Sequence, residues 1–134
     1  MRPTSILDAS ALLAYLQGES GAVIVANALV QGSLISAVNW AETLSKLAER
    51  GQDPDTVTAL LTNQGLLGNA LFITPYDANL ATETAKLRLL TKQLGLSLGD
   101  RACIALGLQS QLPVLTSDQA WMNLSIGVVI QLIR

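Results

Sequence analysis

The sequence predicts an α/β domain with a central parallel sheet of about five strands, covered on both faces by helices in three α/β/α layers. Three observations lead there. Short, almost wholly apolar runs recur along the chain, each too uniform for a strand with one wet face. Stretches of helical character separate them, opened by capping residues and closed by glycines. The length, 134 residues, suits a single domain spanning 1–134, with no repeat, low-complexity tract or linker.

Thr4–Leu7 is the first strand, ended by Asp8, and Ala9–Leu16 the first helix. Gly18-Glu19-Ser20-Gly21 breaks it. Ser20 is expected to cap a second helix, Ala22–Val30, which stops at Gly32 where a left-handed residue is wanted. Leu34–Ala37 is the second strand. Val38–Arg50 is a third helix with Trp40, Leu44, Leu47 and Ala48 on one face, closed by Gly51. Asp53-Pro54 opens a fourth helix to about Leu61, and Gly65–Gly68 is a loop. Leu71–Thr74 is the third strand. Asp77 caps one long helix to about Leu94, ended by Gly95. Ser97 caps Leu98–Gln109. Pro113–Thr116 is the fourth strand, Ser117–Leu124 a turn with a helical stub, and Val128–Leu132 the fifth strand.

Composition narrows the chemistry. Half of the residues are apolar, 13% are charged and the mean hydropathy is +0.42. That is rich for a small soluble monomer and implies that another chain covers some of the surface. No run reaches the ~18 uninterrupted apolar residues of a membrane span. The opening Met-Arg-Pro-Thr-Ser lacks a signal-peptide layout, and a single cysteine, Cys103, permits no internal disulfide, so a reducing cytoplasm is expected. Histidine is absent, which excludes histidine triads, imidazole acid–base catalysis and the usual zinc sets. The net charge of −2 argues weakly against nucleic-acid binding; with four acids neutralised, the remainder carries +2.

Four acids fall near helix starts or just past a strand end: Asp8 after the first strand, Glu42 in the first turn after the second, Asp100 after Ser97-Leu98-Gly99 at the start of a helix, and Asp118 after the fourth strand. Each has a plain structural role available. Asp8 and Asp118 suit caps, Glu42 suits the third position of a capping box begun by Asn39, and Ser97–Asp100 is itself such a box. In a parallel sheet, however, ligands bind beyond the carboxyl ends of the strands, and that rule groups the four. Converging carboxylates cannot all stay ionised unless a cation sits among them. Oxygen-only ligands suit Mg²⁺ or Mn²⁺, which would activate water for phosphodiester hydrolysis. Thr116 and Ser117 add hydroxyls nearby.

The segments Ile6-Leu-Asp8-Ala-Ser10-Ala, Asn39-Trp-Ala-Glu42, Leu98-Gly-Asp100-Arg-Ala-Cys-Ile-Ala105 and Leu115-Thr-Ser-Asp118-Gln-Ala-Trp121 together resemble the PIN-domain ribonucleases, most of all the VapC-type toxins of toxin–antitoxin pairs. The resemblance spans the chain, in order. It implies a Mg²⁺- or Mn²⁺-dependent endoribonuclease, with Asp8, Glu42 and Asp100 as the main acidic set, Asp118 as the fourth acid, and Ser10 and Thr116 as accessory hydroxyls. It also implies a homodimer and an antitoxin whose C-terminal segment covers the active-site groove. Ser117 stands where alanine is common.

Other residues have blander expectations. Arg101 is expected to pair with a neighbouring acid. Lys86, Arg88 and Lys92 are expected on a solvated face, Trp40 and Trp121 in packing, and Cys103 in a buried helix. Three rivals follow. One is an aspartyl-phosphate-type phosphohydrolase using Asp8, although Ser10 stands where such enzymes carry a second aspartate. The second is a catalytically inactive interaction module whose acids are only caps. The third is a DNA nuclease built on the same site.

Overall fold

The computed structural model describes residues 2–134. Its elements run β1 (Ser5–Leu7), α1 (Ala9–Gln17), α2 (Ala22–Gln31), β2 (Ser33–Ser36), α3 (Ala37–Glu49), α4 (Pro54–Asn63), β3 (Leu71–Thr74), α5 (Ala78–Leu90), α6 (Leu98–Ser110), β4 (Val114–Thr116) and β5 (Ile130–Leu132). Two 3₁₀ turns, Lys92–Leu94 and Gln119–Asn123, complete it. The five strands form one sheet in the order β3-β2-β1-β4-β5, with every pairing parallel.

Both faces of the sheet are covered, and the strand residues alternate between them as a pleat demands. Leu7, Ile35 and Leu115 point into a core built with α1, α2, α3 and α4, through Leu12, Val25, Leu29, Trp40, Leu47 and Leu61. Ile6, Leu34 and Val114 point the other way, against Leu80 and Leu87 of α5, Cys103 and Ile104 of α6, and Trp121. The expected three layers are present.

The strand order sets the location of the site. The chain winds from β1 outward through β2 to β3, then returns to place β4 on the other side of β1. Neighbouring connections therefore diverge at β1 and β4, which opens a crevice at their carboxyl ends. Asp8 leaves β1 there, its N–H donating to the Leu115 carbonyl at 3.2 Å. Thr116 ends β4 beside it.

Several local expectations are corrected. Ser20 does not cap α2: the N-cap is Gly21, which has no side chain to cap with and adopts φ +95 where a Cβ would meet the Ile133 carbonyl oxygen at 2.6 Å. Asp77 does cap α5, but the expected single helix to Leu94 is two pieces, ending at Leu90 and resuming as a 3₁₀ turn up to Gly95. Ala48 is exposed, while Asn39 and Thr43, two polar residues, line the inner face of α3. Strand ends shift by one or two residues, because β4 and β5 pair over only three positions each.

Glycine also fixes the depth at which α6 sits on the sheet. A Cβ at Gly107 would stand 2.6 Å from Val114 Cγ2 and 3.0 Å from Val128 Cγ2. Gly107→Val is therefore expected to cost about 1–3 kcal/mol by overpacking, which its small gain in helix propensity does not cancel. A lowered urea midpoint at unchanged slope is the check.

Among the described residues no single helix is long and apolar enough to cross a membrane. The apolar excess surfaces instead on α2, at Val23 and Val30, and at the end of α5, at Leu89 and Leu90. As expected, Lys86, Arg88 and Lys92 are exposed, and Trp40, Trp121 and Cys103 are buried.

Candidate active site

Asp8 is the centre of the crevice. It is both the first residue after β1 and the N-cap of α1, and only 6% of it is exposed. Its Oδ1 accepts from the Ala11 N–H at 2.8 Å and from the Ser10 hydroxyl at 2.7 Å. Its Oδ2 accepts from the Thr116 hydroxyl at 2.5 Å. Three donors favour the carboxylate, yet burial outweighs them and the nearby charge of Asp100 adds to it, so the pKa rises from 3.8 to about 6. Asp8 is thus a buried acid held by hydrogen bonds alone, with no positive charge against it among the described residues.

Ser10 and Thr116 do more than face the crevice. Besides donating to Asp8, Ser10 Oγ accepts from the Ser117 N–H at 3.0 Å and Thr116 Oγ1 from the Asp118 N–H at 3.1 Å. The two hydroxyls lace the start of α1 to the end of β4.

Glu42 lies in the second turn of α3, half-buried. The expected capping box is not there: Ser36 caps α3, and Asn39 sits inside the helix. Its side-chain amide donates instead to Glu42 Oε1 at 2.7 Å. Asp100 does belong to a capping box, accepting from the Ser97 N–H at 3.0 Å through Oδ2 while Asp100 N–H donates to Ser97 Oγ at 3.1 Å. Its capping role and its place beside Asp8 coexist. Asp118 is exposed and caps the Gln119–Asn123 turn through the Ala120 N–H at 3.0 Å.

Three of the four acids share one neighbourhood. The thiol of Cys103, fully buried one turn below Asp100, is pushed up first by burial and then by the charges of Asp8, Asp100 and Glu42. Asp118 joins only through Thr116. The acids do not form a finished cage: among the described residues no three carboxylates or thiols stand close enough to enclose an ion. Nor do the described residues pair any of the four acids with a counter-charge. The one ion pair among the described residues is Lys86–Glu83, on the outside of α5. Arg101, expected to pair with an acid, donates Nη1 to the Thr84 carbonyl at 3.3 Å instead, because its position on α6 faces α5.

The residues fit a hard divalent cation. Every donor is oxygen, and among the described residues the buried Asp8 lacks a positive partner and the buried Asn39 Oδ1 lacks a hydrogen-bond partner. From the sequence Asn39 reads as the start of a capping box and Gly99 as a point of close backbone approach; the structure places both against Glu42 instead. The one available signal for that placement was a polar residue, Asn39, on what periodicity makes the inner face of a helix.

A family model for the PIN domain matches residues 5–125. No curated protein sequence is significantly similar. Among solved structures, the DNA-bound VapBC of Salmonella typhimurium matches with TM-score 0.73 at 17% identity, over 99% of this chain and 100% of that one. FitAcB of Neisseria gonorrhoeae matches with TM-score 0.69 at 21% identity, over 94% and 95%. VapC20 of Mycobacterium tuberculosis, described as a Sarcin-Ricin loop cleaving toxin, matches with TM-score 0.69 at 12% identity, over 94% and 99%. At these identities the likeness is one of fold. With the family model covering nearly its whole length, the chain belongs to the PIN domain family.

Proposed function

We propose that this PIN domain is a Mg²⁺- or Mn²⁺-dependent endoribonuclease and the toxin of a toxin–antitoxin pair. The observation that carries the reading is Asp8: a buried carboxylate at the sheet's switch point, with Asp100 and Glu42 near it and no cation among the described residues paired with them. Asp8, Glu42 and Asp100 would hold the ion, with the exposed Asp118 at the margin. The bound ion would supply activation of water and positive charge for the phosphoryl oxygens.

The remaining tasks fall to the protein. Thr116 and Ser10 orient the Asp8 carboxylate and tie β4 to α1, so that Asp118 and Asp8 keep their spacing. Water attacks phosphorus and one ester oxygen leaves, without a covalent enzyme intermediate. A phosphorylated Asp8 is disfavoured, since three donors already engage its two oxygens and Ser10 occupies the place of a second aspartate.

The antitoxin and RNA parts of the reading draw on the neighbours: VapBC, FitAcB and a Klebsiella pneumoniae toxin–antitoxin complex share the fold, and VapC20 is described as cleaving the Sarcin-Ricin loop. The antitoxin would cover the groove, and exposed apolar residues on α2 and α5 offer surface for it and for a second copy of the chain. A cytoplasmic site of action fits such a substrate.

The test is purified protein on matched labelled RNA and DNA, with Mn²⁺ or with chelator, beside Asp100→Asn. Cleavage of RNA alone, lost with chelator and lowered about 100-fold or more by the substitution, is expected. Cleavage indifferent to both chelator and Asp100→Asn would overturn the reading.

A further inference from the structure

Asn39 precedes Glu42 by one helical turn, and only 1% of it is exposed. Its Nδ2 donates to Glu42 Oε1 at 2.7 Å and to the Gly99 carbonyl at 3.0 Å. Two acceptors fix which way the amide faces: turned over, it would aim Oδ1 at two oxygens. Oδ1 is therefore directed elsewhere, buried and without a partner among the described residues. Buried orphan acceptors are rare in folded proteins and call for a reason. Capping is not that reason, since Ser36 caps α3.

Gly99 supplies the matching half. A Cβ there would stand 2.5 Å from both Oε1 and Cδ of Glu42. The residue lies within α6 and needs no left-handed backbone, so glycine's conformational freedom does not explain it. The Glu42 carboxylate occupies the room that any other residue's side chain would fill.

We propose that Asn39 and Gly99 are positioning residues for Glu42: together they tie α3 to the first turn of α6 and seat the Glu42 carboxylate against the backbone beside Asp100, where the two acids serve one cation. Asn39 acts only through Glu42. The inference rests on the reading of the acids as an ion site, and the experiment separates the two.

Mn²⁺ affinity is measured by calorimetry on the intact purified chain, for wild type, Asp8→Asn, Asn39→Leu, Gly99→Ala, Glu42→Gln and the Asn39→Leu/Glu42→Gln pair. Asn39→Leu is expected to weaken Mn²⁺ binding about 10–100-fold. In the Glu42→Gln background the same change is expected to cost less than about twofold, because its route of action is already gone. Gly99→Ala, which keeps Asn39 and unseats Glu42, is expected to match Asn39→Leu, and it decides the matter should the leucine variant fail to fold. RNA cleavage by either is expected to lose kcat with KM kept.

Unchanged Mn²⁺ affinity in Asn39→Leu and Gly99→Ala, with Asp8→Asn abolishing it, overturns this inference alone. An equal loss from Asn39→Leu with and without Glu42 also overturns it, since that marks a merely structural role. Affinity unchanged even in Asp8→Asn removes the ion site and the inference with it.

Discussion

Replacing Asp8 by asparagine is expected to abolish RNA cleavage while making the metal-free protein more stable at pH 7. Both outcomes come from one fact: the fold holds a carboxylate where burial disfavours its charge. The folded pKa of about 6 lies above the ordinary 3.8. Between those values the folded protein keeps a proton that the unfolded chain has lost. Stability is therefore fully present below about pH 4 and falls as pH rises through 6, by about 3 kcal/mol. Asparagine carries no charge to desolvate, keeps a carbonyl oxygen for the Ala11 N–H, and can donate to Thr116 Oγ1. The variant should gain about 1–3 kcal/mol over wild type at pH 7 and nothing at pH 3. Urea unfolding of both proteins at the two pH values, with chelator present, measures this. Mn²⁺ should then stabilise wild type and leave Asp8→Asn unmoved. A wild-type protein equally stable at pH 4 and pH 7 without metal would contradict the account.

Trp121→Ala is expected to be the most damaging change outside the acids. Trp121 is the largest fully buried side chain, at 0% exposure, and it fills the core between α6 and the β4–β5 edge with Cys103, Ile104, Leu124 and Ile130 around it. Truncating a buried tryptophan costs about 3–5 kcal/mol, against a total of about 5–15 kcal/mol for a domain. The melting temperature should fall by roughly 10–20 °C. The site should loosen too, since the buried Trp121 side chain anchors the Gln119–Asn123 turn that Asp118 caps. Trp121→Phe is the control. The indole N–H has no partner among the described residues, so losing it forfeits no hydrogen bond, and phenylalanine, which keeps one ring and leaves a smaller cavity, should cost clearly less than alanine. Equal melting temperatures for the alanine and phenylalanine variants would show that this side chain does not hold the edge together.

The architecture was legible in the chain because its signals are local. Runs such as Ile6-Leu7 and Val114-Leu115 are apolar and buried on both sides of the pleat, which only a sheet covered on both faces accommodates. Caps at Asp8, Asp53, Asp77 and Ser97 announce helix starts through hydrogen bonds that span three residues. Ser20 misled because a serine before a helix marks a cap only if the backbone turns there to offer its N–H groups, and here Gly21 makes that turn at φ +95. The break at Leu90 left no mark, since nothing in Thr91-Lys92 forbids an α-helix; Thr91 instead buries its side chain and bonds the Leu87 carbonyl at 2.7 Å.

The sequence by itself determined that four carboxylates, two hydroxyls and no imidazole would stand near helix starts or strand ends, and that strand order would decide whether they met. Only the tertiary structure decided which did: Asp8, Glu42 and Asp100 share a neighbourhood above Cys103, Asp118 stays at its edge, and Arg101 turns away. It also revealed Asn39 and Gly99, whose roles exist only across sixty residues of chain. The division has a physical cause. Caps and periodicity are set by neighbours along the backbone, whereas the cost of burying a charge, and what sits close enough to offset it, depends on everything the fold packs around it.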